Sequence, residues 1–297
     1  MSKIFVAGKG LIGCAVRDEL LNKNYEVINK GNELDLRDFN KTYEFFKKEQ
    51  INFVFLCAGN NGGILYNIEN PATLFYDNLT IVNNIFKLSS IFDFKVIWYA
   101  SSCIYPKNAP QPIKEEYLCE GKIEESSIGY SAAKLAGVYG AIAYNKQYSK
   151  RILTLIPNTV YGKEDKFDEN SHVLSAILKK IYDAKKNNTD VTLWGDGEVY
   201  REFVYNIDVA RASVFAFESF ENIKEDFLNV GGDEIKIKDL AILIAKLLNF
   251  RGKIIWDTTK PKGVKRKLLD SLKLKNYGFK NIISLEYGIR EVIKNIQ

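Results

Sequence analysis

Tyr130 and Lys134 are the two side chains whose types and spacing most directly suggest catalysis. Residues four apart lie on one face of a helix, so the two groups can act at one place. A tyrosine with its ordinary pKa of about 10 is a poor acid at neutral pH. We expect the Lys134 ammonium to stabilise the phenolate and to lower the pKa of Tyr130 toward the working range. Because the chain has 17 tyrosines, such a spacing also arises by chance and needs support from its surroundings.

A run of polar side chains after a predicted buried strand, Lys95–Ala100, supplies that support. Ser101 and Ser102 follow the strand directly, and Cys103 comes next. In an open α/β sheet, ligands bind beyond the carboxyl ends of the strands. We therefore expect the Ser101 hydroxyl to hydrogen-bond a carbonyl group that is reduced there, with Tyr130 giving the proton.

A glycine turn near the start of the chain predicts the source of the hydride. It lies between a predicted strand, Ile4–Ala7, and a predicted helix, Leu11–Leu21. Glycines permit a tight turn and close approach of the backbone to a pyrophosphate, and the helix N-terminus favours negative charge. In this strand–turn–helix context the pattern predicts a dinucleotide site. The residues predicted to contact the cofactor in the turn are Gly8, Lys9, Gly10, Leu11, Ile12 and Gly13.

The end of the second predicted strand, Tyr25–Ile28, bears on which dinucleotide binds. Sites for NAD usually place an acid there to bond the ribose 2′-hydroxyl. This strand continues into Asn29, Lys30 and a glycine without a carboxylate, so we predict NADPH rather than NADH, with Lys30 and Lys9 facing the 2′-phosphate. Asp35 and Leu36 are predicted to line the adenine pocket.

The elements that must position these residues alternate between strand-like and helix-like segments. This alternation predicts an α/β fold, a Rossmann-type doubly wound parallel sheet with a smaller C-terminal substrate-binding lobe. We place the NADP-binding domain at residues 1–160 and the nucleotide-sugar lobe at 161–297. Segments near 190–210 and 226–232 are expected to return to the first domain. The other predicted strands are Phe53–Cys57, Ile152–Ile156, Val191–Trp194 and Phe227–Val230. The other predicted helices are Pro71–Ile91, Ser127–Tyr148, Val173–Lys185, Asp208–Phe217, Asp239–Leu248 and Leu285–Ile296.

Composition narrows the class of protein. The chain has 297 residues, 46% of them hydrophobic, which is enough for a full core. A net charge of +5 without a long basic block does not indicate nucleic-acid binding. No apolar run approaches the roughly 18 residues that span a membrane. Four scattered cysteines and one histidine argue against a metal site and favour the reducing cytoplasm. Of the cysteines, Cys14, Cys57 and Cys119 are predicted to be small apolar core residues.

Several longer motifs carry a family resemblance. They run nearly end to end and comprise Gly62-Gly63-Ile64, Ser101-Ser102-Cys103-Ile104-Tyr105-Pro106-Lys107, Tyr130 with Lys134, Asn170-Ser171-His172-Val173, Trp194-Gly195, Arg201-Glu202-Phe203, Asn229-Val230-Gly231 and Arg266-Lys267-Leu268-Leu269-Asp270. In these motifs the chain resembles the GDP-L-fucose synthase family of extended short-chain dehydrogenase/reductases. That family epimerises and then reduces a GDP-linked 4-keto-6-deoxy sugar.

The resemblance implies roles for individual residues. Ser101, Tyr130 and Lys134 match the family's reductase triad, and Cys103 and His172 match its acid–base pair for epimerisation. A proton beside a ketone is acidic enough for a thiolate or an imidazole to remove. The residues implied to bind the GDP-linked 4-keto sugar are Ser102, Lys180, Trp194, Arg201 and Lys267. A cytoplasmic homodimer that uses NADPH, in the synthesis of surface polysaccharide, is also implied.

Departures from the family pattern leave two features undecided: the identity of the sugar, and whether the protein epimerises it before reduction. The stretches Pro157–Tyr161 and Cys57–Asn61 differ near where the sugar should lie, which suggests another sugar, such as a heptose. The first hypothesis is a C4 reductase that leaves epimerisation to another enzyme. The alternative is a bifunctional C3/C5 epimerase and C4 reductase. A 4-epimerase with bound NAD is disfavoured by the missing acid, and a non-catalytic NADPH-binding regulator by the intact triad.

Two helices are predicted to form the dimer interface. The helix that contains Lys134 and the helix that begins at Pro71 each carry more apolar surface than one sheet face can cover. Pairing of two such helices across a two-fold axis would give a four-helix interface. The apolar residues on which this prediction rests are Leu79, Val82, Ile85, Phe86, Leu135, Val138, Ala141, Ile142 and Tyr148.

Overall fold

A computed structural model describes residues 3–31, 33–149, 152–165, 167, 171–259, 264–280 and 283–296. Its helices are α1 (Leu11–Asn22), α2 (Phe39–Glu49), α3 (Ile64–Glu69), α4 (Pro71–Phe92), α5 (Ile128–Tyr148), α6 (Val173–Asn187), α7 (Asn206–Glu218), α8 (Ile237–Leu247), α9 (Leu272–Asn276) and α10 (Leu285–Ile296). Its strands are β1 (Ile4–Ala7), β2 (Val27–Lys30), β3 (Phe53–Leu56), β4 (Lys95–Tyr99), β5 (Ile152–Pro157), β6 (Thr159–Tyr161), β7 (Val191–Trp194), β8 (Tyr200–Tyr205), β9 (Phe227–Val230), β10 (Asp233–Lys236) and β11 (Ile254–Asp257).

A six-stranded parallel sheet in the order β2-β1-β3-β4-β5-β9 forms the centre of the molecule. Its middle strands are buried on both faces, as expected for a parallel sheet covered by helices. One face packs against α2, α4 and α5, and the other against α1 and α7. The predicted Rossmann-type α/β fold is confirmed.

The strand order places the site. The chain runs from β1 outward to β2 and then returns to β3 on the other side of β1. At such a reversal the connections leave in opposite directions, so a crevice opens beyond the carboxyl ends of the strands. The glycine turn follows β1, and the segment 57–61 follows β3, so both border this crevice.

The smaller sheets hold a third cluster of core residues with α6, α8 and α10. Strands β6, β8 and β10 form one sheet, and β7 pairs with β11. Of the segments expected to return to the first domain, 226–232 contains β9, whereas the strands within 190–210 lie in these smaller sheets. The division near residue 160 stays a prediction.

The structure adds elements that the sequence did not predict and corrects two expectations about individual residues. Helix α2 and strands β6, β8, β10 and β11 have no counterpart in the sequence prediction. Cys119 is exposed in a left-handed backbone conformation rather than buried, while Cys14 and Cys57 are partly buried. Most of the residues expected to supply the dimer interface face inward instead: Val82, Ile85, Phe86, Val138 and Ala141 are buried in the core, because α4 and α5 pack against each other and the sheet.

Within the described residues no helix is long and apolar enough to cross a membrane. The same part of the chain contains no group of three or more histidine, cysteine or acidic side chains arranged to hold a metal ion.

Candidate active site

A cavity of about 380 Å³ opens beyond the carboxyl ends of β1, β3, β4 and β5. This volume lies in the range of small-molecule sites. It brings together residues that are far apart in the chain. The predicted site residues that line it are Gly10, Leu11, Ile12, Ser101, Ser102, Tyr130, Lys134 and His172.

The glycine turn has the shape that a pyrophosphate requires. Gly8 has a φ of 115°, which glycine adopts without strain. A Cβ on Gly13 would lie 2.3 Å from the Gly8 carbonyl oxygen, so this glycine allows α1 to start close to the turn. A Cβ on Gly10 would meet no atom within 4 Å, and no side chain caps the first turn of α1. The turn therefore offers an open, uncapped helix N-terminus that fits the phosphates of a dinucleotide.

Beside the turn, Asn29 holds the loop in place. Its amide nitrogen donates to the carbonyl oxygens of Val6 at 2.7 Å and Gly8 at 2.9 Å. Its Oδ1 atom is buried and accepts no hydrogen bond from the described residues. Asn29 therefore positions the glycine turn, and its free acceptor points to a further donor at this edge of the sheet.

The rim of the cofactor end contains a carboxylate that the sequence prediction missed. Glu33 accepts a hydrogen bond from Lys9 Nζ at 2.7 Å and another from the Gly31 amide at 2.6 Å. The Lys9 hydrogen bond is the main cause that lowers the pKa of Glu33 to about 2. Glu33 lies two residues beyond Gly31, and an acid about 20 residues beyond the last glycine of the turn fits the known spacing. Lys9 is thus paired, and Lys30 lies exposed at the end of β2.

The two residues predicted for the adenine pocket differ in surroundings. Asp35 forms an ion pair with Arg37 at 2.9 Å, and hydrogen bonds from Arg37 lower the pKa of Asp35. Arg37 also bridges to the buried Asp77 at 2.9 Å. Leu36 is buried in the core beneath the loop.

Tyr130 and Lys134 share one face of α5, but their electrostatics differ from the prediction. Desolvation raises the pKa of Tyr130, which the charge of Cys103 raises further and a hydrogen bond with Ser101 partly offsets. Lys134 Nζ donates to the Tyr99 carbonyl oxygen at 2.8 Å and lies 5.6 Å from the centre of the Tyr130 ring. Burial lowers the pKa of Lys134 to about 8. The expected lowering of the tyrosine pKa is wrong for the protein alone, because burial and the charge of Cys103 raise it.

The two residues implied to form the epimerase acid–base pair differ in position, because His172 lines the cavity and Cys103 does not. His172 precedes the first residue of α6, and its Nε2 atom lies 3.4 Å from Nδ2 of Asn61. An amide nitrogen can only donate, so Asn61 is the donor in this contact and His172 Nε2 the acceptor. Cys103 lies in a 3-10 turn, Ser102–Ile104, and is partly buried but does not line the cavity. Asn170 of the histidine motif lies outside the described residues.

A buried polar network of Ser102, Asn158 and Glu202 leads from the cavity wall into the protein. The Ser102 hydroxyl donates to Asn158 Oδ1 at 2.9 Å, and Asn158 Nδ2 donates to Glu202 Oε2 at 2.5 Å. Burial is the main cause that raises the pKa of Glu202 to about 7. Asn158 and Glu202 were not predicted as site residues. The available signal was an acid inside the otherwise apolar end of β8.

The four residues expected to hold GDP lie outside the cavity lining. Arg201 donates to the carbonyl oxygens of Tyr200 at 2.6 Å and Val264 at 2.7 Å. Burial lowers the pKa of Lys267, whose own carbonyl accepts from Asn158. Lys180 Nζ lies 5.0 Å from the centre of the Trp194 ring. These groups stay candidates for an anionic ligand that extends beyond the cavity.

Comparison with known proteins identifies the relatives of the chain. The sequence profile of the NAD dependent epimerase/dehydratase family matches residues 4–231. GDP-L-fucose synthase of Escherichia coli strain K12 is 37% identical over 97% of this chain and 94% of its own length. GDP-L-colitose synthase of Yersinia pseudotuberculosis is 34% identical over 97% and 95% of the two chains.

Two solved structures that are similar to this chain are named as reductases of GDP-linked sugars. A GDP-6-OMe-4-keto-L-xylo-heptose reductase from Campylobacter jejuni has a TM-score of 0.92 at 31% identity, covering 99% of this chain and 97% of the other. A GDP-mannoheptose C4 reductase from the same organism, with NADP bound, has a TM-score of 0.90 at 31% identity, covering 99% and 98%.

Proposed function

The chain belongs to the NAD dependent epimerase/dehydratase family and, within it, to the GDP-L-fucose synthase family; on that premise we propose that it is an NADPH-dependent C4 reductase of a GDP-linked 4-keto sugar. Its family membership confirms the resemblance that the motifs indicated. The observation that carries the proposal is the cavity in which Ser101, Tyr130 and Lys134 meet the glycine turn.

The proton chemistry follows from the surroundings of the triad. When bound, NADPH supplies the hydride for the C4 carbon, and the residues of the glycine turn would hold its pyrophosphate. Tyr130 must carry a proton before the reaction, and its raised pKa keeps it neutral. Ser101 holds the ketone oxygen, and Tyr130 gives its proton to that oxygen as negative charge develops. The Lys134 ammonium stabilises the negative charge that the transfer leaves on the tyrosine.

The nucleotide part of the substrate accounts for the basic residues outside the cavity. Arg201 and Lys267 are partly buried cations suited to a diphosphate, and Trp194 offers an aromatic face to base or ribose. Lys180, held near the Trp194 ring, adds a further positive charge. Relatives named for GDP sugars support guanosine as the base.

One experiment tests the reaction directly. The pure protein is incubated with NADPH and a panel of GDP-linked 4-keto sugars that includes 6-deoxyhexose and heptose forms. We expect NADPH oxidation with at least one member, and a product in which NMR shows a hydroxyl in place of the C4 ketone. Oxidation of NADPH with none of the panel would contradict the proposal.

A bifunctional reaction, epimerisation at C3 and C5 before reduction, is the second candidate. The position of His172 on the cavity wall favours it. Cys103 does not line the cavity, but its charge contributes to the raised pKa of Tyr130, so it lies near the triad. Asn158, at the altered stretch after β5, is held by hydrogen bonds to Ser102 and Glu202. The altered stretch favours reduction alone, because proton transfer needs near-contact geometry.

Deuterium labelling separates the two reactions. In heavy water, reduction alone leaves C3 and C5 of the product unlabelled. Stoichiometric deuterium at either carbon, with this protein as the sole enzyme, would establish epimerisation. In that case Cys103→Ser should abolish the label while direct C4 reduction survives.

We also propose that the protein is a homodimer formed through α4 and α5. The relevant residues differ from those predicted: Phe75, Tyr76, Ile128 and Tyr139 are 41%, 65%, 51% and 49% exposed on these helices. Exposed aromatic and aliphatic side chains of this kind mark an interaction surface. Light scattering at micromolar concentration should give twice the mass of the chain, and a monomer would contradict the proposal.

Free cysteines and biosynthetic relatives support a cytoplasmic location.

A further inference from the structure

Ser102, Asn158 and Glu202 form a continuous line of hydrogen bonds from the cavity wall into the protein. We propose that Glu202 is a positioning residue that acts through Asn158 to fix the direction of the Ser102 hydroxyl, so that Ser102 presents an acceptor to a hydroxyl group of the sugar. The inference rests on the proposed function because it assigns the sugar to this cavity.

Glu202 is surrounded by donors alone. The side chain is 1% exposed. Its Oε1 accepts from the Gly232 amide at 2.8 Å, and its Oε2 accepts from the Leu269 amide at 2.9 Å and from Asn158 Nδ2. An ionised carboxylate has acceptors only and matches all three donors. Because burial raises the pKa of Glu202 to about 7, this ionised form predominates above neutral pH, where this arrangement applies. A group with its own proton or amide hydrogen at this place would face a donor.

Asn158 is thereby held in one orientation. Its amide nitrogen has two hydrogens, and both are used, one by Glu202 and the other by the Lys267 carbonyl oxygen at 3.1 Å. Both partners are acceptors, so the nitrogen must face them and the oxygen must face away. Neither end of the Asn158 amide is left to donate to a ligand.

Ser102 takes its direction from Asn158. The amide oxygen that faces Ser102 can only accept, so the single hydroxyl proton of Ser102 points to it, at an oxygen separation of 2.9 Å. Ser102 also lines the cavity. Its remaining hydrogen-bonding capacity on that side is therefore a lone pair, which selects a donor such as a sugar hydroxyl. Ser101, in contrast, is directed by its hydrogen bond with Tyr130.

Glu202→Gln should reverse this direction. A carboxamide at 202 sets an NH₂ group against at least one of the three N–H donors. With that group on the Asn158 side, turning the Asn158 amide over relieves this clash, at the expense of the hydrogen bond to the Lys267 carbonyl oxygen. The amide nitrogen would then face Ser102, whose proton would turn toward the cavity and repel a donor. Ser102→Ala removes the acceptor outright. Asn158→Ala breaks the link and leaves Glu202 its two backbone donors.

Calorimetry tests the inference by measuring the dissociation constants of GDP-L-fucose and of GDP. Both are measured for the wild type, for each single variant and for the double variant, which together form a double-mutant cycle. We expect Ser102→Ala and Glu202→Gln each to weaken GDP-L-fucose binding roughly tenfold, the size of one hydrogen bond with an unpaired partner. GDP binding should change less than twofold, because GDP lacks the sugar. The double variant should bind GDP-L-fucose no more weakly than the weaker single variant, since both changes remove the same contact. With the 4-keto substrate, KM should rise more than kcat falls.

Three outcomes would overturn the inference. Losses that multiply in the double variant would mean that Glu202 does not act through Ser102. Equal weakening of GDP and GDP-L-fucose would mean that it acts on Arg201 or Lys267 instead. Unchanged GDP-L-fucose binding in Asn158→Ala would show that Asn158 does not connect Glu202 to Ser102. The same variant tests the inference if Glu202→Gln fails to fold. Failure of the proposed function is distinguishable, because the wild-type protein would then oxidise no NADPH in the substrate panel.

Discussion

The end of the cavity that we propose for the cofactor (the cofactor end) and the end that we propose for the sugar (the sugar end) are built in different ways. The cofactor end consists of backbone from one six-residue turn, where the essential feature is space for a ligand to approach. The sugar end consists of side chains from several segments, including Ser102, Asn158 and Glu202, which are buried and joined by hydrogen bonds. The comparison teaches that a contiguous motif suffices for a phosphate, whereas selection among sugars requires directed side chains. Tyr130 and Lys134 lie between the two ends.

The largest effect is expected at the meeting point of the two ends. Tyr130→Phe removes the proton donor but keeps the ring, so turnover should fall by about a hundredfold or more. Calorimetric dissociation constants for NADPH and GDP should stay within a few-fold of wild type. Turnover close to that of wild type would show that the proton comes from another group.

A matched pair of glycine variants tests whether the cofactor end depends on space alone. Gly13→Ala places a Cβ 2.3 Å from the Gly8 carbonyl oxygen, so α1 must shift, at a cost of about 1–3 kcal/mol in unfolding free energy. Gly10→Ala meets no protein atom within 4 Å and should leave the melting temperature unchanged. We nevertheless expect Gly10→Ala to weaken NADPH binding roughly tenfold, because the added methyl group occupies the approach of the pyrophosphate. Full affinity in Gly10→Ala would place the phosphates elsewhere.

The pH dependence of reduction reports on Lys134. The reaction needs the ammonium form, and burial lowers the pKa of Lys134 to about 8. Activity should therefore hold between about pH 7 and 8 and fall above pH 8, approaching tenfold per pH unit as the lysine loses its proton. Below pH 7, protonation of Glu202, whose pKa burial raises to about 7, should weaken sugar binding. The measurement is kcat/KM between pH 6 and 10. Lys134→Met should be slow at every pH and should lose this descending limb; a limb that persists in the variant would assign it to another group.

The smallest effect concerns cofactor choice. We expect wild type to bind NADPH more tightly than NADH, and Glu33 to limit the difference because it neutralises Lys9. Glu33→Gln should raise the ratio of the NADH dissociation constant to the NADPH dissociation constant a few-fold. Lys9→Met should lower this ratio by a similar amount, as expected for an exposed ion pair. Calorimetry with each cofactor at fixed ionic strength measures both. Equal affinities in wild type would contradict the NADPH preference.

Features that depend on neighbouring residues in the sequence were predicted well, whereas features that depend on packing between distant segments were not. The buried strands Ile4–Ala7 and Phe53–Leu56 were recognisable because all their residues are apolar. Helix α2 escaped prediction since its pattern is mostly polar, and β8 because an arginine and a glutamate lie within it. Helices α4 and α5, which we propose for the dimer interface, were predicted from the sequence, but which of their residues face outward depends on how the two helices pack.

The sequence by itself determined the local features of this protein: the strand–turn–helix unit with its glycines, the one-face spacing of Tyr130 and Lys134, and the family motifs. Each depends on backbone geometry within a few residues. Only the tertiary structure decided the protonation of Tyr130, the pairing of Lys9 with Glu33 and the direction of the Ser102 hydroxyl. These depend on desolvation and on donors brought together from distant segments, such as Asn158 and Glu202, which are 44 positions apart. Charge and hydrogen-bond direction are set by three-dimensional neighbours, and folding alone supplies them.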